Sequence, residues 1–471
     1  MASRAVLSWI DDHAAPLTEL SREVWRLAEP SLAEYQSAAA LAEFLERRGF
    51  SVERGVAGLP TAFVADYDSG RSGPVIGFLG EYDALPELSQ AVEAVRRPVK
   101  DSGYGHGCGH NLLGVGAMAA ALALKAAMEA GLIDGRVIFY GCPAEETLTG
   151  KVFMARERIF DAADVAITWH PGAFNTVTTS RHSAMNSFKV NFYGVSAHAA
   201  GSPEMGRSAL DGVELMSVGV NYLREHITSH ARIHSVVTSG GIQPNVVPSY
   251  SQVWYYVRTP RRDQLEEVYS RVLDQAKGAA LMAGVDYDVE FLGGCYDTLL
   301  NEPLIDAAQK CMERIGGPVF SDEEKSFAAA LSSTHPPGQR ENAIERAGID
   351  LPHGVHLHEG VLPDRGRRGI AYGSTDVGDV SWCVPTVSIE TACWPIGNAG
   401  HSWQNTASSG STIGLKGMLH AAKAMALIGV ECSVDQNLVR RAKEEFDRQT
   451  ASGGYRCPLP ADMAPPLPKS V

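Results

Sequence analysis

Hydrophobic positions near the start of the chain repeat with helical spacing, and short apolar runs then alternate with helical patterns. Leu17, Leu20, Val24 and Leu27 fall on one stripe, which predicts an amphipathic helix over residues 17–28. Further helices are predicted at 35–48, 112–130 and 414–428, and buried strands at 74–79, 137–140 and 165–169. Alternating strands and helices are typical of a mostly parallel sheet covered by helices, so the sequence predicts an α/β fold.

The pattern changes after about residue 183. Strands are predicted at 188–193, 232–238, 252–258 and 286–292, and helices at 209–226 and 264–283. The resulting order β-α-β-β-α-β is that of a ferredoxin-like α+β unit. The sequence therefore predicts a catalytic domain formed by residues 1–182 and 297–452, an inserted domain at 183–296, and a proline-rich, extended or disordered tail at 453–471.

Charge and composition exclude several classes of partner. The formal net charge is −14 in 471 residues, which argues against nucleic acid or an anionic membrane surface as the main partner. Two aspartates at positions 11 and 12 interrupt the apolar positions of the N-terminus, and no uninterrupted apolar run reaches the length of a membrane span. We therefore expect a soluble cytoplasmic protein that binds neither nucleic acid nor membranes.

Four polar clusters fall directly after predicted strands or at a predicted helix start, at 80–86, 106–111, 142–146 and 169–171. In an open α/β sheet, ligands bind outside the carboxyl ends of the strands. A cysteine, several histidines and a carboxylate suit Zn²⁺, Mn²⁺ or Co²⁺ better than Mg²⁺. The adjacent acids Glu145 and Glu146 allow one carboxylate to bind metal while the other acts as a general base. These residues predict a metal-dependent catalytic site at the sheet edge.

The clusters also carry a family resemblance that extends from about residue 10 to residue 430. The motifs are GHGCGHNLL at 105–113, PAEE at 143–146, WHP at 169–171, SAHA at 196–199, NVVP at 245–248, GSTDVGDVSW at 373–382 and HSW at 401–403. As an ordered set they resemble the co-catalytic metallopeptidases of the aminoacylase and hippurate hydrolase type. Within that family, the set is most similar to the p-aminobenzoyl-glutamate hydrolase subgroup.

The resemblance implies a dinuclear site, with two divalent ions (Zn²⁺ or Mn²⁺) per subunit. It places the metal ligands at Cys108, His110, Glu146, His170 and His401. It makes Glu145 the general base and Asp83 a carboxylate that orients a metal-ligating histidine. Glu81 stands where some relatives carry a metal-ligating histidine, and the spacing of the motifs does not tell which ligand bridges the two ions.

The inserted domain is implied to be a lid and dimerisation domain. His198 corresponds to a residue that reaches the active site of the partner subunit and stabilises the oxyanion of the tetrahedral intermediate. Asn245 and Arg258 resemble residues that contact the substrate carboxylate, and arginine suits a bidentate grip on that group. A homodimer is expected, and a hetero-oligomer is also possible.

The sequence thus predicts a dinuclear metal-dependent amidohydrolase that acts on N-acyl or N-aroyl amino acids such as p-aminobenzoyl-glutamate. One alternative is a dipeptidase with the same machinery that acts on β-alanyl or basic dipeptides. A further alternative is a non-catalytic or regulatory subunit whose metal site is structural. Because a structural metal site needs no spare general base, the presence of Glu145 argues against this last alternative.

Overall fold

The computed structural model describes residues 1–366 and 368–468. Within them, the strands are β1 (Ser51–Arg54), β2 (Phe63–Asp68), β3 (Val75–Glu81), β4 (Arg136–Cys142), β5 (Val165–Gly172), β6 (Thr176–Val177), β7 (Ser180–His182), β8 (Ala184–Tyr193), β9 (Arg232–Ser239), β10 (Tyr250–Thr259), β11 (Asp286–Cys295), β12 (Gly369–Ala371) and β13 (Thr386–Ala392). The α-helices are α1 (Ala2–Asp12), α2 (Ala14–Leu27), α3 (Tyr35–Glu46), α4 (His110–Glu129), α5 (Gly150–Arg156), α6 (Ala209–Leu223), α7 (Arg262–Ala283), α8 (Glu302–Ile315), α9 (Asp322–Ser332), α10 (Gln339–Ala347), α11 (Val377–Ser381), α12 (Trp403–Gly410), α13 (Thr412–Val434) and α14 (Gln436–Thr450).

The large sheet has the strand order β1-β2-β4-β3-β5-β13-β6. Its four central strands, β4, β3, β5 and β13, are parallel, whereas β1, β2 and β6 add antiparallel edges. The carboxyl ends of the parallel strands therefore meet at one edge of the sheet. This architecture confirms the predicted mostly parallel α/β fold class.

A second sheet has the order β11-β8-β10-β9, and all of its neighbouring strands are antiparallel. Helices α6 and α7 pack against it around a separate apolar cluster that includes Phe188, Phe192 and Leu265. In chain order the elements follow the predicted β-α-β-β-α-β sequence of a ferredoxin-like unit.

Helix α4 is the central helix of the main core, and it carries the first histidine of the site at its N-terminus. Gly114 lets this helix approach the end of β3, because a Cβ at that position would lie 2.5 Å from the carbonyl oxygen of Glu81. By length and composition, α4 and α13 could each cross a membrane, but 94% and 83% of their apolar windows are buried inside the molecule. Such burial is what the core helices of a globular domain show.

The proline-rich segment lies against the molecule as far as residue 468. The Tyr455 hydroxyl donates a hydrogen bond to Asp379 over 2.9 Å, and Leu459 is buried in the apolar cluster on one face of the large sheet. Arg156 donates to the carbonyl oxygen of Met463 over 2.7 Å, and Pro466 lines the main cavity. The described part of this segment is therefore irregular in conformation but packed.

Candidate active site

One cavity of about 720 Å³ lies at the carboxyl ends of β3, β4 and β5, and several of the predicted site residues line it. Glu81 ends β3, Glu145 and Glu146 follow β4, and His170 lies near the end of β5. Cys108 lies in the loop before α4 and also lines the cavity. The structure thus brings together residues that are distant in sequence, as the positions of the motifs after the strands predict.

A first group of ligand atoms comes from Cys108, His110 and His170, and these atoms lie within 4.8 Å of one another. The Cys108 Sγ atom is 3.3 Å from His170 Nε2. His170 Nδ1 donates to the carbonyl oxygen of Pro171 over 2.7 Å, which leaves Nε2 as the free nitrogen. Burial, and after it the neighbouring His110, lowers the pKa of His170 to about 4, so its imidazole is neutral, the form that binds metal.

A second group comes from Cys108, Glu146 and His401, again with the ligand atoms within 4.8 Å. Glu146 Oε2 is 3.4 Å from His401 Nε2. His401 has a positive φ of 53°, in the left-handed region, and it comes directly before the N-cap residue of α12. Cys108 belongs to both groups, so its sulfur is the ligand atom that these two groups share.

The residues present fit a pair of divalent ions. His110 Nε2 and Glu146 Oε1 are buried and have no hydrogen-bond partner among the described residues. Buried polar atoms without a partner are rare, and a bound ion is one recognised explanation for them. A thiolate, imidazoles and a carboxylate also form the donor set that suits zinc and related metals.

Asp83 contacts one residue of each group of ligand atoms. Its Oδ1 accepts a hydrogen bond from His110 Nδ1 over 2.8 Å, which directs Nε2 of that ring toward the ligand cluster. Its Oδ2 accepts from the Ser31 hydroxyl over 2.8 Å and from the backbone N–H of Glu146 over 3.0 Å. Burial alone would raise the pKa of Asp83, but the bond to His110 and these other donors hold it at about 2. Asp83 therefore orients one ligand and fixes the backbone of another.

Glu145 lies beside both groups but belongs to neither. Its Oε2 is 3.9 Å from His110 Nε2. With Glu81 and His110 it forms a third group whose ligand atoms lie within 4.8 Å of one another, and this group shares His110 with the first. Burial, followed by the charges of Glu81 and Asp376, raises the pKa of Glu145 well above its usual value. A carboxylate with raised proton affinity next to the metal ligands is suited to accept a proton during catalysis.

The fully buried Lys151 is a residue that the sequence analysis did not single out. Its ammonium lies 2.6 Å from Glu81 Oε1 and 2.6 Å from Asp376 Oδ1, and its backbone N–H donates to Asp376 Oδ2 over 2.9 Å. This ion triad ties the end of β3 to the start of α5 and to the motif at 373–382. It holds one oxygen of Glu81, while Glu81 Oε2 lies 3.3 Å from His110 Nε2.

The structure places the three remaining predicted residues in two different locations. Arg258, on β10, lines the cavity and donates to the Ser374 hydroxyl over 2.8 Å. His198 and Asn245 do not line this cavity, and they lie next to each other on adjacent loops of the second sheet. Their roles, like those of the residues in the cavity, stay predictions.

Comparison with known proteins places the chain in a family. Residues 77–335, more than half of the chain, match the family described as Peptidase family M20/M25/M40. The chain belongs to this family. It is 39% identical to one of the subunits of p-aminobenzoyl-glutamate hydrolase from Escherichia coli (strain K12), with 95% of each chain covered.

Two further relatives extend this comparison. The chain is 29% identical to the Xaa-Arg dipeptidase of Mus musculus, over 95% of this chain and 92% of that protein. The crystal structure of a dinuclear metal-binding M20 peptidase from Bacillus subtilis superimposes with a TM-score of 0.56 at 16% identity, covering 89% and 99% of the two chains. The predicted family and fold class are confirmed, and the protein is a metal-dependent hydrolase of amide bonds in small molecules.

Proposed function

We propose that this enzyme hydrolyses the amide bond of N-acyl or N-aroyl amino acids of the p-aminobenzoyl-glutamate type, with two divalent ions, Zn²⁺ or Mn²⁺, in each subunit. The 39% identity to a hydrolase named for that substrate supports the substrate class. The observation that carries the proposed mechanism is that Cys108 is shared by the two groups that contain it, while Glu145 belongs to neither of these and groups with Glu81 and His110 instead.

Cys108, His110 and His170 would hold one ion, and Cys108, Glu146 and His401 would hold the other. When bound, such ions polarise the amide carbonyl and make a water molecule more acidic. Glu145 takes the proton from the attacking water and returns it to the nitrogen of the leaving amine. Lys151 neutralises Glu81 next to this base, which limits the negative charge around Glu145.

Arg258 is the group that we propose for the substrate carboxylate. Its guanidinium lines the cavity, and among the described residues it has a hydroxyl partner, Ser374, but no carboxylate partner. A guanidinium without a carboxylate partner can form a bidentate pair with a carboxylate that enters the cavity. Trp254 and Tyr256 line the same region and offer aromatic faces to an aroyl group.

A dipeptidase that acts on basic dipeptides is the second candidate function. The 29% identity to a protein named Xaa-Arg dipeptidase supports it, and so does a carboxylate in the cavity wall, Glu390, which a basic side chain could contact. The catalytic machinery would be the same, and only the cavity wall would discriminate between the two substrate classes.

A metal analysis combined with a hydrolysis screen tests these proposals. The purified protein, loaded separately with Zn²⁺ and Mn²⁺, is assayed on N-acyl amino acids, aroyl-glutamates and dipeptides. We expect about two bound ions per subunit and the highest kcat/KM on aroyl-glutamates. A preference for basic dipeptides would select the second candidate. Bound metal without hydrolysis of any compound would instead support a regulatory role with a structural metal site.

We also propose that the protein is a cytoplasmic homodimer in which His198 acts in the partner's active site. His198 Nδ1 accepts hydrogen bonds from the backbone N–H groups of Ala200 and Gly201, over 3.2 and 2.9 Å. This leaves the proton on Nε2, which can donate to a developing oxyanion. Because two relatives are named as different subunits of one hydrolase, a hetero-oligomer is the alternative assembly.

Complementation between two inactive variants tests this role. His198→Ala should keep its metal and its assembly but lose about 10²–10³-fold in kcat, the usual effect of removing one oxyanion donor. Mixed with Glu145→Gln, it should form dimers in which one site has both an intact base and an intact donor. If mixed dimers form and activity stays at the level of the parents, His198 does not act in the partner's site.

A further inference from the structure

Glu390 is a carboxylate in the wall of the active-site cavity that the catalytic scheme does not use. It lies near the end of β13, where its backbone is paired in register with His170 on β5. Ser388 and Glu390 line the cavity together with Thr168 and His170, whereas Ile389, between them, is buried in the core. Side chains alternate along a strand, so Glu390 shares the cavity face of the sheet with a metal-ligand candidate.

The Glu390 carboxylate has no protein partner among the described residues. Burial alone shifts its pKa, and no described hydrogen-bond donor or charged group contributes to that shift. Two cations of the cavity region have other partners, since Lys151 pairs with Glu81 and Asp376, and Arg258 donates to the Ser374 hydroxyl. Burial without a donor raises the pKa of Glu390 to about 7. An N–H donor that enters the cavity would stabilise the charged form of this group.

A glycine on the neighbouring strand β5 leaves space for the Glu390 carboxylate. Gly172, two residues beyond His170 on β5, is buried, and a Cβ at that position would lie 2.9 Å from Glu390 Oε2. A side chain at Gly172 would therefore push the carboxylate away. The glycine leaves room for Glu390 to lean along its strand toward the carboxyl edge of the sheet, where the metal ligands and Glu145 are located.

We propose that Glu390 is a specificity-determining residue that accepts hydrogen bonds from an amino, ammonium or guanidinium group of the substrate. The inference rests on the proposed function and adds to it. Arg258 and Glu390 would give the cavity one cationic and one anionic recognition point. A substrate with a free carboxylate and a separate N–H donor would match both.

The N–H donor that contacts Glu390 could come from either of two parts of the substrate, and each can be tested separately. The aromatic amine of a 4-aminobenzoyl group would place the donor on the acyl side of the scissile bond. The side chain of a basic C-terminal residue would place it on the leaving side. Two matched substrate pairs separate these sources: N-(4-aminobenzoyl)-glutamate against N-benzoyl-glutamate, and β-alanyl-lysine against β-alanyl-norleucine.

The experiment compares kcat/KM within each pair for the metal-loaded wild type and for three variants. Glu390→Gln removes the charge and keeps the shape, and Glu390→Ala also removes the acceptor. Ser388→Ala changes the same face of the same strand and serves as the matched control. A hydrogen bond to a charged group corresponds to about 10- to 100-fold, so the wild type should prefer the N–H-bearing member of one pair by that factor.

The proposal predicts that Glu390→Ala brings this ratio to within about threefold of one, while Ser388→Ala keeps the wild-type ratio. Metal content measured on the same samples should be the same in all four proteins. The proposal is wrong if the wild type shows no preference in either pair, if both Glu390 variants keep the wild-type ratio, or if they lose metal and so reveal a ligand. Glu390→Gln preserves the packing, so a ratio that also falls in this variant cannot come from a space left by alanine.

Failure of the proposed function would give a different result. If the wild type hydrolyses none of the four compounds, calorimetric binding of 4-aminobenzoate against benzoate, and of lysine against norleucine, decides the role of Glu390. Tighter binding of the amino compound by the wild type, lost in Glu390→Ala, supports the inference without hydrolysis. Equal binding within both pairs, or no binding, overturns it.

Discussion

The replacement Glu145→Gln separates proton transfer from metal binding. Glu145 and Glu146 are neighbours in sequence, but only Glu146 belongs to a group that contains Cys108, with its Oε2 3.4 Å from His401 Nε2. Glu145 Oε2 lies 3.9 Å from His110 Nε2, outside both groups that share the cysteine. Glutamine keeps the size of the side chain but cannot accept and return a proton. We therefore expect the variant to bind metal normally and to turn over slowly.

The expected loss of kcat follows from the role of Glu145 as a general base. A positioned general base contributes typically ~10²–10⁴-fold, which corresponds to about 3–5 kcal/mol of activation free energy. The matched control is Glu146→Gln, which removes a proposed ligand. It should lower metal occupancy, so that activity and bound metal fall together.

The assay is steady-state kcat on an aroyl-glutamate, with metal content measured by mass spectrometry on the same preparations. Circular dichroism of each variant checks that the fold is intact. If Glu145→Gln turns over at a rate near that of the wild type, Glu145 is not the base. If it loses as much metal as Glu146→Gln does, the division of roles between the two carboxylates is wrong.

Two further predictions concern the cysteine and the buried lysine. Cys108 should resist alkylation in the metal-loaded protein and react after chelation, as measured by mass spectrometry of the labelled peptide. Because burial raises the pKa of this thiol to about 12, the labelling is done at alkaline pH, and equal labelling in both states would rule Cys108 out as a ligand. Lys151→Met should lower the free energy of unfolding by about 3–5 kcal/mol in urea titrations, because two buried carboxylates lose their cation. Lys325→Met, which breaks an exposed pair with Glu359, should cost at most about 1 kcal/mol, and similar values for the two variants would contradict the role given to burial.

The architecture could be predicted from the sequence because it depends on periodicity. Apolar runs at 74–79, 137–140 and 165–169 correspond to β3, β4 and β5, each of which extends two or three residues beyond the predicted end. Helix α4 begins at His110, two residues earlier than predicted, with Gly109 at a φ of 76° before it. The last residues of an element contact the site or a cap rather than the core, so hydrophobic spacing does not mark them.

The cluster of metal-ligand candidates could be predicted for a related reason. Cys108, Glu146 and His170 each lie beside or within a segment whose pattern is clear, and parallel strands place such positions at one edge. Spacing could not tell that Cys108 faces both groups of ligand atoms. That feature depends on His401, which lies almost three hundred residues later and adopts a left-handed backbone conformation.

Spacing could not identify three residues of the site, Lys151, Asp376 and Glu390. The role of each depends on which residues contact it in the fold, and those contacts come from distant parts of the chain. Lys151 looks like an ordinary residue in the first turn of a helix, and its contacts with Glu81 and Asp376 span 70 and 225 positions of the chain. A cue existed for Asp376, since it belongs to the quoted motif at 373–382, but the motif gives no partner. Glu390 lies in a strand otherwise rich in threonine and apolar residues, where a charge is unexpected.

These three residues affect the proposed reaction because they set the charge around the catalytic carboxylates in the cavity. Asp83, Glu81, Glu145 and Glu146 place four carboxylates near His110, and metal ions would offset only those charges that they contact. Lys151 contacts Glu81 Oε1, whereas Glu81 Oε2 lies near His110, and so this lysine offsets negative charge next to the base. Glu390 has no such cation beside it among the described residues, and burial raises its pKa to about 7, so a donor from the substrate would find a free acceptor there. A substrate that brings an N–H donor to Glu390 and a carboxylate to Arg258 would therefore be stabilised at both ends while its amide lies between them, where Glu145 can act.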